Sequence, residues 1–331
     1  MFSKRVVICG VMMSLLLTGC SVVSKILPDR AVTNVLSGRT GPNGSVLVVK
    51  IDDTTQAHPQ IGLEDADIVY IEQVEGGLTR LAAVFSSVIP QRVGPVRSAR
   101  ISDIDIVRQF GRVAFAYSGA QKKLLPVIAD ANLQDLGAQR QSPLIFTTDP
   151  NRTQPYAMVL RADLLMQKIK EKKYQIDSAK SVGFSFGPLP QGGTVTNKVV
   201  MHWPAATYSA TWSIKDSRWL LSHNNTTNFA DSGFVLGPST LVIQMVSITP
   251  SEYKDKVGGV TPFSQTVGTG KAYVLRNGQR FITTWSRPSA DSGTSFTFAD
   301  GATMNFDPGQ IWIALTDHEP DFTSPLVPKT K

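Results

Sequence analysis

The sequence is poor in the residues that build metal and redox centres. Its 331 residues include two cysteines and four histidines. Cys9 and Cys20 both fall near the N-terminus, so the rest of the chain has no disulfide and no cysteine–metal site. His58, His202, His223 and His318 never pair at i, i+4, and Asp52, Asp53 and Asp67 fit no EF-hand pattern. The sequence alone therefore predicts no metal ion and no cofactor. Charge is sparse as well. Only 18% of residues are charged, against 42% hydrophobic, which excludes a long disordered or coiled-coil protein. The formal net charge of +7 is spread out, with no basic run interleaved with aromatics, so a nucleic-acid partner is not expected. There is no G-x-S-x-G and no phosphate-loop GK[ST]. Ser251 to Lys254 matches S-x-x-K without the companion S-D-N and K-T-G motifs.

What is present begins at the N-terminus. Lys4-Arg5 precedes the apolar run Val6 to Leu17, which is too short to span a bilayer as a stable helix. Leu17-Thr18-Gly19-Cys20 then resembles a bacterial lipobox. That resemblance implies a signal peptide over 1–19, cleavage before Cys20 and diacylglycerol attachment at Cys20. The membrane is then a partner through this lipid, and the body stands on the extracytoplasmic face of the cell membrane. Residues 20–44, with Pro28, Ser37-Gly38 and Gly41-Pro42-Asn43-Gly44, read as a lipidated tether.

The remaining chain predicts an α+β protein in two parts. Over 45–185, apolar runs such as Ser45–Ile51, Ile68–Val74 and Arg112–Tyr117 alternate with helical stretches, chiefly Asp163–Lys173, giving a mixed α/β domain. Gly183 to Gly193 (GFSFGPLPQGG) marks a boundary. Over 194–320 strands dominate and are mostly antiparallel, with the hairpin signal Asn277-Gly278 between Val274–Arg276 and Gln279–Ile282.

The stretch most suggestive of chemistry is Val74 to Arg100. Glu75 precedes Gly76-Gly77, Arg80 opens an apolar run, and Arg97 and Arg100 follow Gly94-Pro95. Ser102 with Asp105 predicts a capping pair, placing the arginines beside a helix N-terminus. Guanidinium forks suit carboxylate or phosphate oxygens. The same residues could instead be an ion-pair network that fixes the fold.

The order GL-x-x-AD-IVY (Gly62 to Tyr70), VEGG-x-TR (Val74 to Arg80) and VGPVRSAR (Val93 to Arg100) resembles the YerB-like bacterial lipoproteins, the DUF3048 family of unknown function. GKAYVLRNGQ, TWSRPS and PGQIWIAL extend the resemblance over roughly residues 45 to 316. In the family's middle segment an Arg precedes Pro-His-Asn. Here Arg152 and Pro155 remain, while Tyr156 and Ala157 replace the His and Asn. The chain also has Asp53 and His58 where the family tends to have Asn and Arg. Arg287, beside Trp285 in the family-like pattern, is expected to complete the site from the second part. The resemblance carries no activity to transfer.

The expected site is thus Glu75, Arg80, Arg97, Arg100, Arg152 and Arg287, binding an anionic wall polymer or an envelope protein. Two other readings stay open. One is a cell-wall glycan hydrolase using Glu75 as acid or base, with Glu72, Asp103 or Asp105 as its partner carboxylate. The other is a non-catalytic envelope scaffold. Trp203, Tyr208, Trp212, Trp219, Trp285 and Trp312 read chiefly as core rather than as sugar-stacking rings.

Overall fold

The computed structural model describes residues 32–324. Cys20 and the expected signal segment lie outside them. Among the described residues no helix is long and apolar enough to cross a membrane.

An eleven-stranded mixed sheet organises the molecule. At its centre are β1 (Leu47–Asp52), β2 (Ile68–Gln73) and β3 (Thr79–Phe85). β3 lies between the other two and runs antiparallel to both, pairing Arg80 with Asp52 on one side and Glu72 on the other. Strands Val113–Ala116 and Leu133–Asp135 extend the sheet beyond β1 in parallel. On the other side β2 pairs in parallel with Ile311–Thr316, which pairs in parallel with Thr240–Met245. Gly268–Arg276 and Gln279–Arg287 follow as a hairpin, and Thr194–Val195 edges the sheet. The hairpin turns at Asn277 (φ +49°) and Gly278 (φ +70°), the two left-handed residues that a two-residue turn requires.

The predicted α+β class is therefore observed. The chain on either side of Gly183–Gly193 does not form two separate sheets, because Ile311–Thr316 inserts directly beside β2. Of the expected tether, 20–44, only residues 32–44 are described. From Val32 onward the chain packs on the body, with Asn34, Leu36 and Ser37 buried and Ser37 Oγ donating to Asp67 Oδ1 at 2.6 Å.

Strand alternation sorts the side chains onto two faces. On one face Leu47, Val49, Ile51, Leu81 and Ala83 meet helix α3 (Ala162–Lys172) and a second, five-stranded sheet built around Lys198–Trp203, Ala206–Ser213 and Arg218–His223. Trp203, Tyr208, Trp219 and Trp312 fill this layer, and Trp285 is buried on the opposite face. These four tryptophans and Tyr208 are thus core, with Trp212 partly buried against them. On that opposite face Val48, Tyr70, Ala82 and Val84 meet α1 (Ile101–Arg108) and α2 (Leu124–Asp130).

Helix α1 has its cap two residues before the predicted one. Its N-cap is Arg100, whose backbone N–H donates to Asp103 Oδ2 at 2.6 Å. Ser102 instead accepts from the Ser264 amide at 3.0 Å.

Candidate functional site

The strands β1 and β2 run in the same direction, and their carboxyl ends open onto one edge of the sheet. That edge is where open α/β sheets commonly place ligands. The apolar rows of the α1 face end there in charged residues. Asp52, Arg80 and Glu72 form one cross-strand row. Lys50 lies in the row behind, paired with Ala82.

Two layers of charge result. The inner one is sealed. Lys50, Glu72 and Asp103 are all 0% exposed. Lys50 Nζ donates to Glu72 Oε1 and, at 2.8 Å, to Asp103 Oδ1. One ammonium thus faces two carboxylates. Burial, and then repulsion from Asp103, pushes Glu72 up to about 7 against the pull of Lys50. This layer is a strut, and it removes Glu72 and Asp103 as solvent-reachable partners for glycan chemistry.

The outer layer is open. Arg80, Arg97 and Arg100 converge with Glu75 on a cavity of about 900 Å³. Gly76 and Gly77 adopt left-handed φ values of +70° and +71°, turning the chain after β2 so that Glu75 faces the cavity. A side chain at Gly77 would also strike Pro204, 2.5 Å from the position of its Cβ. Arg100 Nε lies 2.7 Å from Glu75 Oε1, its Nη2 donates to Oε2 at 2.8 Å, and Thr261 Oγ1 donates to Oε1. Burial raises the Glu75 pKa, but the Arg100 and Thr261 bonds outweigh it and hold the carboxyl below its ordinary value. Arg97 Nε lies 2.6 Å from Asp52 Oδ2.

Arg80 differs from both. Its Nη1 donates to the Ser98 carbonyl at 2.9 Å, and among the described residues no carboxylate lies within ion-pair distance. Burial, then repulsion from Arg100 and Arg97, lowers it to about 10. Further cations come from elements the sequence did not connect to this stretch. Lys122 and Lys123 precede α2, and Lys254 and Lys256 belong to the hairpin of Ile248–Lys254 and Val260–Ser264. Against these seven cations the cavity has three carboxylates, Glu75, Glu252 and Asp255.

Two of the expected residues lie elsewhere. Arg287 is 0% exposed and donates to the carbonyls of Asp105, Ala290 and Ser292 and to Thr266 Oγ1. It ties the Gly268–Arg287 hairpin to α1, with four of its five N–H donors already engaged on protein oxygens. Arg152 clamps the loop after β1, with Nη1 on Ala57 O at 3.0 Å and Nη2 on Pro59 O at 2.5 Å. Both were read from a motif rather than from a position in space. The reverse failure concerns Asp53, His58 and His223. No spacing links them, yet the fold brings their ligand atoms within 4.8 Å of one another.

The chain belongs to the DUF3048 family, described as a protein of unknown function. The N-terminal domain of that family matches residues 32–175 and the C-terminal domain residues 199–313. The resemblance read from the motifs is thereby borne out. Among curated proteins, the chain is 25% identical over 295 residues to "Putative lipoprotein YerB" of Bacillus subtilis (strain 168), covering 86% of this chain and 83% of that one. It is also similar to the crystal structure of YerB protein from Bacillus subtilis, with a TM-score of 0.75 at 19% identity over 88% of this chain and 99% of the other. At that identity the likeness shows a shared fold.

Proposed function

We propose that this protein is a lipid-anchored envelope protein, attached through Cys20 on the extracytoplasmic side, whose cavity binds a polyanionic ligand of the envelope. The lipobox and the name of the Bacillus subtilis relative support the anchoring. The observation that carries the binding reading is Arg80. A largely buried guanidinium without a partner carboxylate is costly unless something negative arrives. Arg97 and Arg100 flank it, and four lysines widen the field beyond them. Arg97 and Arg100 are oriented by Asp52 and Glu75, so their geometry is set before the ligand binds. Phosphate oxygens suit such a cluster because guanidinium and ammonium donors both form charge-assisted bonds to them.

Glycan hydrolysis is the weaker reading. Glu75 is held ionised by Arg100, which suits an orienting carboxylate better than a general acid, and Glu72 is sealed away from it.

The test uses the full chain purified in detergent, titrated with glycerol-phosphate oligomers. Binding should weaken as salt rises. Arg80→Met should reduce affinity about 10- to 100-fold, the range for losing charge-assisted hydrogen bonds, while the thermal midpoint stays close to that of the unmodified chain. Oligomer binding that is unchanged in Arg80→Met would remove the proposal.

A further inference from the structure

A second cluster lies across the sheet from the arginine cavity. β1 ends at Asp52, and the next residue, Asp53, turns to the opposite face. Its carboxylate is buried and held by three donors. Tyr208 OH reaches Oδ1 at 2.6 Å, Gln60 Nε2 reaches Oδ1 at 3.2 Å, and Thr79 Oγ1 reaches Oδ2 at 2.6 Å. A carboxylate offers about four lone-pair directions, so Oδ2 retains one.

Two histidines face that carboxylate. His58 comes from the loop after β1, and its Nε2 is 3.3 Å from Asp53 Oδ1. His223 ends a strand of the second sheet, and its Nε2 is 4.0 Å from Asp53 Oδ2. His223 is 4% exposed, and its Nε2 is buried with no hydrogen-bond partner. A buried polar nitrogen left without a partner is costly, and here it stands against a carboxylate. His58 Nδ1 lies 3.0 Å from Asn228 Oδ1, and with that oxygen accepting the ring proton the Nε2 lone pair is left directed inward. Fixing the tautomer from behind is the usual support for a metal-ligating histidine.

We propose that Asp53, His58 and His223 bind one divalent transition-metal ion of the zinc class. Two imidazoles and one carboxylate suit zinc, cobalt or iron better than calcium or magnesium. Tetrahedral coordination with bonds of about 2.0 to 2.1 Å separates neighbouring ligand atoms by about 3.3 Å. With the ion on the free lone pair of Oδ2, His223 Nε2 has to close from 4.0 Å by several tenths of an ångström, and His58 Nε2, now 3.3 Å from Oδ1, has to swing toward Oδ2. The two imidazoles are stacked 4.5 Å apart and only 11° from parallel, so their lone pairs do not yet converge. His58 is the ring placed to turn, since it is half-buried and lines a cavity of about 300 Å³ with Thr55, Thr226 and Phe229. As it turns, its Nε2 gives up the 3.2 Å contact with Gln60 Nε2. The same cavity gives the ion an entrance and leaves its fourth position open to water or an incoming ligand, the arrangement of a reactive rather than a closed structural site.

The experiment takes the full chain in detergent, strips it with a chelator, and titrates it with Co²⁺ and then Zn²⁺. One equivalent of Co²⁺ should bind with visible d–d absorption of tetrahedral intensity, and Zn²⁺ should displace it. Zn²⁺ should also raise the thermal midpoint. His58→Ala removes a ligand at the cavity wall and should weaken binding at least about 100-fold. Asn228→Ala should weaken it about 10- to 100-fold through the loss of the acceptor that holds the His58 proton on Nδ1. Far-UV circular dichroism establishes that each variant is folded. Should His223→Ala fail to fold, His58→Ala decides the matter alone. The proposal is overturned if the unmodified chain binds neither ion at micromolar concentrations. It is equally overturned if folded His58→Ala binds both ions as tightly as the unmodified chain does.

Discussion

Asp52 and Asp53 follow each other at the end of one strand and serve opposite sides of the sheet. Asp52 orients Arg97 toward a cavity rich in cations. Asp53 lies between the two sheets, facing two histidines. The difference comes from the two-residue period of an extended chain, which sends successive side chains to opposite faces. It teaches that a run of two acidic residues, read in sequence as one turn signal, can divide between two unrelated sites. It also separates kinds of charge. The Lys50–Glu72–Asp103 group is closed and self-compensating, whereas Arg80 has no partner of its own.

The sharpest way to break this contrast is to replace the closed layer. Lys50→Met leaves two carboxylates buried without their cation, and urea unfolding should show a loss of about 3 to 5 kcal/mol. If Arg80→Met costs as much as Lys50→Met, the two layers form one structural network and the distinction between strut and site fails.

A smaller effect tests the split between the neighbouring aspartates. Asp52→Asn should weaken glycerol-phosphate binding about 3- to 10-fold by loosening Arg97, the order of one ordinary hydrogen bond, while leaving Co²⁺ binding intact. Asp53→Asn should do the reverse. Calorimetric titration of both variants with both probes checks this, and a variant that impairs both would merge the two sites.

A last test uses pH dependence. Glu72 is raised in the folded state to about 7, above its ordinary value of 4.5. A group raised on folding favours the native state at low pH, and that contribution is lost as pH climbs from about 4.5 through 7. Glu72→Gln should therefore flatten a decline in stability over that window. Glu75 is lowered, so it acts in the opposite sense, and its contribution is lost only as pH falls below its ordinary value. Denaturation at a series of pH values separates the two carboxyls.

Much of this was legible because it is local. The strand content of Ile68–Val74, the Asn277-Gly278 turn and the amphipathic run at Asp163–Lys173 each depend on neighbours within a few residues, and each appears close to its expected bounds. Glu75, Arg80, Arg97 and Arg100 lie within one supersecondary stretch, so their meeting was also within reach. What escaped depends on long-range pairing. Lys122, Lys254 and Lys256 join the cavity through a loop and a hairpin far along the chain. His58 and His223 approach each other only because two sheets stack. Arg287 shows the opposite error, since a motif identifies a residue that matters without telling a ligand contact from a carbonyl clamp.

The strand Ile311–Thr316 sits between β2 and Thr240–Met245, in the middle of the sheet although near the end of the chain. A chain halted before Ile311 would thus present two apolar, unpaired strand margins where the finished protein has a seam. Completion of the fold is tied to arrival of the last segment, so nascent or clipped forms carry the greatest hazard of self-association, and any helper that shields them has that gap as its natural target.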